Sequence, residues 1–231
     1  MRREDRSTDS NARIRRIQAA DARPEQGIRA QLAELARMIE DWPGLVAGPA
    51  ATLVDDSLVL LVHLVGARSV VDVGSGGGLP GLPLKIVRPD LELTLIESEQ
   101  AKAAFLVQAC ASLALKDVDV VGRRAEEVGQ DPRYRETFDV AVARALAPMR
   151  VLVELCLPLV AVGGRLLAQK TEAEDVSGAA HAIELLGGSL ESVAAAPSGA
   201  RKAGTVVIIE KVRPTPAEYP RRAGIPNRKP L

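Results

Sequence analysis

Short apolar runs recur along the chain from residue 69 onward and predict an alternation of strands and helices. Predicted strands lie at 69–73, 91–96, 117–121, 137–142, 164–169, 190–195 and 204–211, and predicted helices at 80–88, 98–115, 148–160 and 173–187. Because helices join the first five strands, the pattern predicts a doubly wound parallel α/β sheet. The last two strands have no helical spacer, so they are expected to form an antiparallel hairpin.

Apolar positions at helical spacing also precede the sheet, from Gly27 to Trp42 and from Leu53 to Val65. They predict an N-terminal helical extension. The expected organisation is a flexible basic segment at 1–24, the extension at 25–66, the sheet domain at 67–212 and a tail at 213–231. That tail is basic and rich in proline. It could lie along phosphates or be a solvated, partly disordered end.

Composition restricts the possible classes of protein. The chain has 231 residues and 47% hydrophobic content, which suffices for one main core. The charged N-terminus and the absence of a long apolar run predict a soluble, cytoplasmic protein without a membrane partner. Cys110 and Cys156 lack the spacing of a zinc or redox site, so no metal is expected. The formal net charge is zero and aromatics make up 2%, which disfavours recognition by rows of stacked bases.

The most informative stretch is VDVGSGGGLPGLPL, from Val71 to Leu84, where an apolar strand leads into glycines that open a helix. A glycine loop in this position holds nucleotide-like ligands in α/β sheets. Gly76, Gly78 and Gly81 satisfy the G-x-G-x-x-G pattern of a dinucleotide site. That match alone is weak, because the pattern is short.

A second glycine frame fits the loop better. It begins at Asp72, which closes the strand with a carboxylate, and continues through Gly74, Gly76 and Gly78. A dehydrogenase loop usually starts directly after apolar residues, whereas a carboxylate at the strand end suits a cationic ligand. This frame resembles motif I of class I methyltransferases that use S-adenosylmethionine (AdoMet).

Polar residues follow the other strands at the edge where doubly wound sheets bind ligands. Glu97 ends the second strand, about 20 residues after the glycines, where a carboxylate can accept hydrogen bonds from both ribose hydroxyls. Ala125 and Glu126 follow the third strand, where this fold usually holds the adenine ring. Arg144 ends the fourth strand and Lys170 the fifth, and both are candidates for positioning the substrate.

The segment after the fourth strand, ARALAP, narrows the chemistry. Enzymes that methylate exocyclic amines commonly carry Asn/Asp-Pro-Pro-aromatic there. Methylation of pyrimidine carbon 5 needs a cysteine nucleophile, but Cys156 is predicted inside the following helix. Guanine N7 has an in-plane lone pair and no proton, so its methylation requires alignment but no obligatory general base. No firm catalytic residue is therefore predicted.

Five stretches together resemble the bacterial ribosomal RNA small subunit methyltransferase G family (GidB): VDVGSGGGLPGLPL, LIES, RAEE, FDVAVARALA and GGRLLAQK. The resemblance covers roughly residues 27–212. It implies a class I, Rossmann-like AdoMet-dependent methyltransferase fold and methyl transfer to N7 of a guanine in the decoding-region loop of 16S rRNA. The implied partner is 16S rRNA, within the 30S subunit or a precursor, and a monomer is expected.

The resemblance also implies cofactor-binding positions. Its firmest assignments are Gly74, Leu79, Ala125, Glu126 and Arg144. Gly76 and Gly78 belong to the same loop, and Glu97 matches the ribose position of the wider fold. Many members have Asp in place of Glu97, a difference that preserves the hydrogen bonds, and Phe in place of Leu79.

Two other functions compete with methyl transfer. A NAD-dependent oxidoreductase would use the frame of Gly76, Gly78 and Gly81, but His63 and His181 are isolated and suggest no catalytic dyad. A non-catalytic AdoMet-binding module associated with the ribosome would share every cofactor motif, because N7 chemistry leaves no nucleophile to search for.

Overall fold

The computed structural model describes residues 25–171 and 176–231. The predicted flexible segment at 1–24 and part of the predicted helix at 173–187 lie outside the described residues. Within those two ranges, none of the helices combines the length and apolar character needed to cross a membrane.

Helical segments precede the sheet. Helix α1 spans residues 25–41, and α2 spans Ala50–Ser57, with a 3₁₀ helix at Leu58–His63. The predicted single helix from Leu53 to Val65 is thus an α-helix that starts earlier and tightens halfway. The change follows Ser57, whose hydroxyl donates a hydrogen bond to the Leu53 carbonyl (2.9 Å), a contact that tends to bend helices.

Seven strands form a single sheet in the order β3-β2-β1-β4-β5-β7-β6. Their bounds are Ser69–Val73 (β1), Glu92–Ile96 (β2), Val118–Val121 (β3), Phe138–Arg144 (β4), Val160–Thr171 (β5), Gly188–Ala195 (β6) and Gly204–Lys211 (β7). Strands β1 to β5 are parallel, and β7 pairs antiparallel with both β5 and β6. Because β1 lies between β2 and β4, the strand order reverses at β1, which is where such sheets bind ligands.

Helices cover both faces of the sheet. They are α3 (Gly81–Val87), α4 (Gln100–Ser112), α5 (Ala125–Val128), α6 (Met149–Cys156), α7 (Ala180–Leu185) and α8 (Ile225–Arg228), with 3₁₀ helices at Leu157–Leu159 and Ser177–Ala179. Val70 belongs to the core beneath α1 to α4, whereas its neighbour Val71 belongs to the core beneath α6 and α7. Both valines are fully buried, as expected for a sheet covered on both faces.

The prediction for the fifth strand was too short. The helix predicted at 148–160 ends at Cys156, and β5 begins at Val160, four residues before the predicted start at 164. Pro158 stops the helix. Gly163 adopts a positive φ of 90° inside β5, so the Gly163–Gly164 pair resembles a loop in the sequence although the strand passes through it.

Residues 213–231, the tail, pack against the body of the protein. Arg221, which the sequence suggested as a phosphate contact or a solvated cation, forms an ion pair with the fully buried Glu154 of α6. Pro220 and Pro226 are also buried. The expectation of a solvated, partly disordered end is therefore wrong for this segment.

Candidate functional site

A cavity of ≈ 580 Å³ opens at the carboxyl edge of the parallel strands. Its volume lies within the range of about 300–1,000 Å³ typical of small-molecule sites. The wall combines the glycine loop, the ends of β2 and β4, the segment after β3, and parts of the extension and the tail. Among its lining residues are Leu45, Asp56, Gly74, Gly76, Leu79, Glu97, Ala125, Glu126, Arg144, Leu146, Arg201 and Asn227.

The glycine loop needs its glycines for conformation and for space. Gly74, Gly76 and Gly78 have φ values of 73°, 54° and 79°, in the left-handed region that other residues rarely adopt. A Cβ on Gly74 would collide with the Leu146 side chain, and one on Gly78 would collide with Leu82. Gly74 and Gly76 line the cavity, whereas Gly78 does not, so the contribution of Gly78 is to the shape of the loop.

Asp72 fixes this loop to the sheet from inside the core. Its Oδ2 accepts a hydrogen bond from the Gly81 amide at the start of α3 (2.8 Å), while its buried Oδ1 has no hydrogen-bond partner. Burial raises the pKa of Asp72 to about 7, against the opposing effects of the Gly81 hydrogen bond and the Arg144 charge. Because Asp72 is not part of the cavity wall, it supports the loop from behind.

Glu97 occupies the position expected for a ribose acceptor. It lies at the end of β2, on the cavity wall, with 8% of its surface exposed. Its Oε2 accepts a hydrogen bond from the Gly76 amide (2.9 Å), and its Oε1 accepts one from the Glu99 amide (2.8 Å). Each carboxylate oxygen can accept a second bond, so the two amides orient the group without exhausting it.

Ala125 and Glu126 start the short helix α5 and line the next part of the cavity. Glu126 is 4% exposed, and its Oε1 accepts a hydrogen bond from the Gly224 amide of the tail (2.8 Å). The nearest cation to its Oε2 is Arg124, whose Nε lies 3.8 Å away. The carboxylate predicted to contact a base therefore already binds the tail.

Arg144 lies on the opposite side of the cavity, beside the extension. Its Nη1 donates a hydrogen bond to the Leu53 carbonyl (3.2 Å) and lies 3.7 Å from Asp56 Oδ2. Asp56 also accepts from the Nε of Arg201, at 3.0 Å to each carboxylate oxygen. Burial lowers the pKa of Arg144, while the charges of Asp56 and Asp72 act in the opposite direction.

Sequence reasoning missed Asp56 and Arg201. They come from the extension and from the turn between β6 and β7, far apart along the chain. The available signal was an acidic residue inside the apolar run LVDDSLVLLV, because a carboxylate on a buried helix face needs a cationic partner.

Two predicted assignments change. Lys170 does not line the cavity: it is 7% exposed, and its Nζ donates a hydrogen bond to the Ala147 carbonyl (2.6 Å), which holds the loop after β4. Its predicted role in contacting substrate is therefore not supported by its position. Cys156 is fully buried in α6, and burial raises the pKa of its thiol far above the ordinary value. This position agrees with the exclusion of a cysteine nucleophile.

Comparisons with known proteins agree with this architecture. The family model described as rRNA small subunit methyltransferase G matches residues 50–203. A curated relative of that name from Moorella thermoacetica is 46% identical over 181 residues, which cover 76% of this chain and 75% of the relative. Another, from Roseiflexus castenholzii, is 50% identical over 164 residues, covering 70% of each chain.

Solved structures support the fold class. The O-methyltransferase TomG from Streptomyces achromogenes, in complex with SAM, superposes with a TM-score of 0.55 at 19% identity, covering 79% of this chain and 90% of TomG. MtNAS in complex with S-adenosylmethionine also gives 0.55, at 20% identity, covering 81% and 74%. The predicted class I AdoMet methyltransferase fold is confirmed. Together with the motifs and the family match, these findings establish that the chain belongs to the rRNA small subunit methyltransferase G family.

Proposed function

We propose that this protein transfers a methyl group from AdoMet to N7 of a guanine in the decoding-region loop of 16S rRNA, within the 30S subunit or a precursor. One observation carries the proposal. A single cavity joins the glycine loop, the oriented carboxylate of Glu97 and the segment at Ala125, in the order that the strands impose. Family membership supports the choice of substrate.

The residues of the cavity fit AdoMet. Glu97 has spare acceptor capacity for ribose hydroxyls, and its neighbour along the sheet edge, Ala125, gives space for a flat base. Gly74 and Gly76 allow a ligand to approach the backbone closely. Leu79 is 3% exposed and adds an apolar wall.

The chemistry requires little from protein side chains. AdoMet, when bound, supplies a methyl group on a cationic sulfur, and guanine N7 accepts it through its lone pair without losing a proton. The protein must therefore align two substrates and exclude competing water. Arg144 and Arg201 lie on the cavity side away from Ala125, where guanidinium groups can bind guanine O6 or a backbone phosphate.

The test is transfer of labelled methyl from AdoMet to 16S rRNA and, separately, to 30S particles that lack the modification. Nucleoside analysis of the product should show labelled 7-methylguanosine. The preferred acceptor of the two identifies the substrate form. Another labelled nucleoside, or AdoMet binding without transfer to either acceptor, would contradict the proposal and favour the non-catalytic module.

The oxidoreductase alternative predicts a different ligand. Titration with NADH would quench its fluorescence if the frame of Gly76, Gly78 and Gly81 bound a dinucleotide. The position of Gly81 opposes this alternative, because a Cβ there would lie 2.8 Å from Asp72 Oδ2, behind the loop and away from the cavity.

A further inference from the structure

We infer that the tail forms the adenine-facing wall of the cofactor cavity and that Asn227 binds the edge of the adenine base. The inference rests on the proposed function, because it assumes that the cavity holds AdoMet. It assigns a binding role to a segment whose basic residues had suggested contact with RNA.

The first part of the tail is held by one arginine. The guanidinium group of Arg135 donates hydrogen bonds to the carbonyls of Thr215 (2.8 Å), Pro216 (3.2 Å) and Tyr219 (2.7 Å). The side-chain amide of Gln130 adds a bond to the Pro220 carbonyl (2.9 Å). These contacts fix the backbone of the tail at five carbonyl-bearing positions or fewer, independently of its own side chains.

The middle of the tail is held by a buried carboxylate. Glu154 is 0% exposed, and its Oε1 accepts hydrogen bonds from the backbone amide (2.9 Å) and the Nε (2.8 Å) of Arg221. The guanidinium group also donates to Oε2 (2.5 Å). A buried carboxylate needs such a partner, so Arg221 is committed to this contact.

The last part of the tail reaches the cavity. The Gly224 amide donates its hydrogen bond to Glu126, and α8 begins at the next residue. Asn227, on α8, lies on the cavity wall together with Ala125 and Glu126. Within the described residues, no hydrogen bond of the Asn227 side chain is present, so its amide is available to a ligand.

The order of the strands indicates which part of AdoMet would meet Asn227. A ribose bound to Glu97 at the end of β2 places the base over the adjacent segment, which follows β3 and contains Ala125. An edge of adenine presents an amino donor beside a ring-nitrogen acceptor. A carboxamide offers the complementary acceptor and donor, which makes Asn a good partner for adenine.

The test compares two ligands across three proteins. The ligands are S-adenosylhomocysteine and its analogue in which hydrogen replaces the 6-amino group of the base, and dissociation constants are measured by calorimetry. The proteins are wild type, Asn227→Ala and Arg222→Ala. Arg222 is an exposed residue of the same tail outside the cavity wall, so its substitution removes a charge but no proposed contact.

Asn227→Ala should weaken binding of S-adenosylhomocysteine about tenfold, the usual effect of losing a hydrogen bond of roughly 1.4 kcal/mol. Arg222→Ala should bind like wild type. Removal of the 6-amino group should weaken binding to wild type by a similar factor but have a much smaller effect on Asn227→Ala. Thermal unfolding without ligand checks that both variants keep the wild-type fold.

Two results would overturn the inference alone. One is unchanged affinity of Asn227→Ala, and the other is an equal loss on removing the 6-amino group in wild type and in Asn227→Ala. In both cases wild type still binds S-adenosylhomocysteine, so the proposed function stands. Failure of wild type to bind either AdoMet or S-adenosylhomocysteine would overturn the proposed function and the inference together.

Discussion

Gly74 occupies a backbone conformation that a side chain would strain, at a point where the loop faces both Leu146 and the cavity. Gly163 has a similar positive φ, but a Cβ there would meet nothing within 4 Å. The two glycines therefore separate backbone strain from the requirements of the site.

We predict that Gly74→Ala weakens AdoMet binding at least tenfold, because the displaced Leu146 side chain lines the cavity. Gly163→Ala should lower the free energy of unfolding by about 1 kcal/mol through strain alone and leave AdoMet affinity unchanged. Calorimetry and urea unfolding of both variants provide the comparison. Equal affinities for the two variants would contradict the placement of the cofactor against this loop.

Asp72 makes stability depend on pH in an unusual direction. Its pKa is raised by burial from an ordinary 3.8 to about 7, so its protonated form stabilises the folded state below pH 4, and that contribution is lost as the pH rises through about 7. Relative to Asp72→Asn, the wild-type free energy of unfolding should fall by about 1.4 kcal/mol per pH unit between pH 5 and 7. Urea unfolding at each pH measures the difference, and parallel curves would show that Asp72 does not titrate in this range.

Residues at the ends of strands could be placed from the sequence, because a parallel sheet brings those ends to one edge. The structure accordingly brings Gly74, Glu97, Ala125 and Arg144 into one cavity. Asn227 could not be placed in this way, since it reaches the cavity by a path determined by side-chain contacts of the tail.

At the scale of elements, the clearest predictions came from continuous apolar runs. Strands β1 to β4 begin within one residue of their predicted positions because both of their faces are buried. Strand β5 was truncated by the Gly163–Gly164 pair, whose local signal for a loop is overridden by pairing with β4. The tail has no periodic pattern and packs through hydrogen bonds to its carbonyls, which composition does not reveal.

The attachment of the tail can be weakened selectively. Arg221→Ala leaves the buried carboxylate of Glu154 with only the backbone amide, a loss of about 2 kcal/mol. Amide hydrogen exchange at Gly224 should accelerate about 30-fold, while exchange in β1 should not change. Arg222→Ala is the matched control and should exchange like wild type. Unchanged protection of Gly224 in Arg221→Ala would show that the other contacts hold the tail alone.

For the whole molecule, Asp56 joins parts that are distant along the chain. It is 1% exposed and binds Arg201 and Arg144, which connects the helical extension to β4 and to the turn before β7. Removing one member of a buried ionic cluster leaves the others uncompensated. The stability of the extension and that of the sheet are therefore coupled.

Asp56→Asn should lower the free energy of unfolding by about 3–5 kcal/mol in a single transition for the whole protein. The neighbouring Asp55 is exposed, so Asp55→Asn should change it by no more than about 0.5 kcal/mol. Urea unfolding followed by far-UV circular dichroism and by Trp42 fluorescence tests both statements. Separate transitions for the two signals would show that the extension unfolds independently.

The position of the tail also concerns the order in which the protein is made. The glycine loop emerges early during synthesis, whereas the wall containing Asn227 follows only after β7 has been completed. A nascent chain can therefore assemble its central strands well before it can enclose a cofactor. Chains interrupted between β7 and α8 would keep the sheet and lose the closed cavity, so translation itself sets the earliest moment at which the protein can become active.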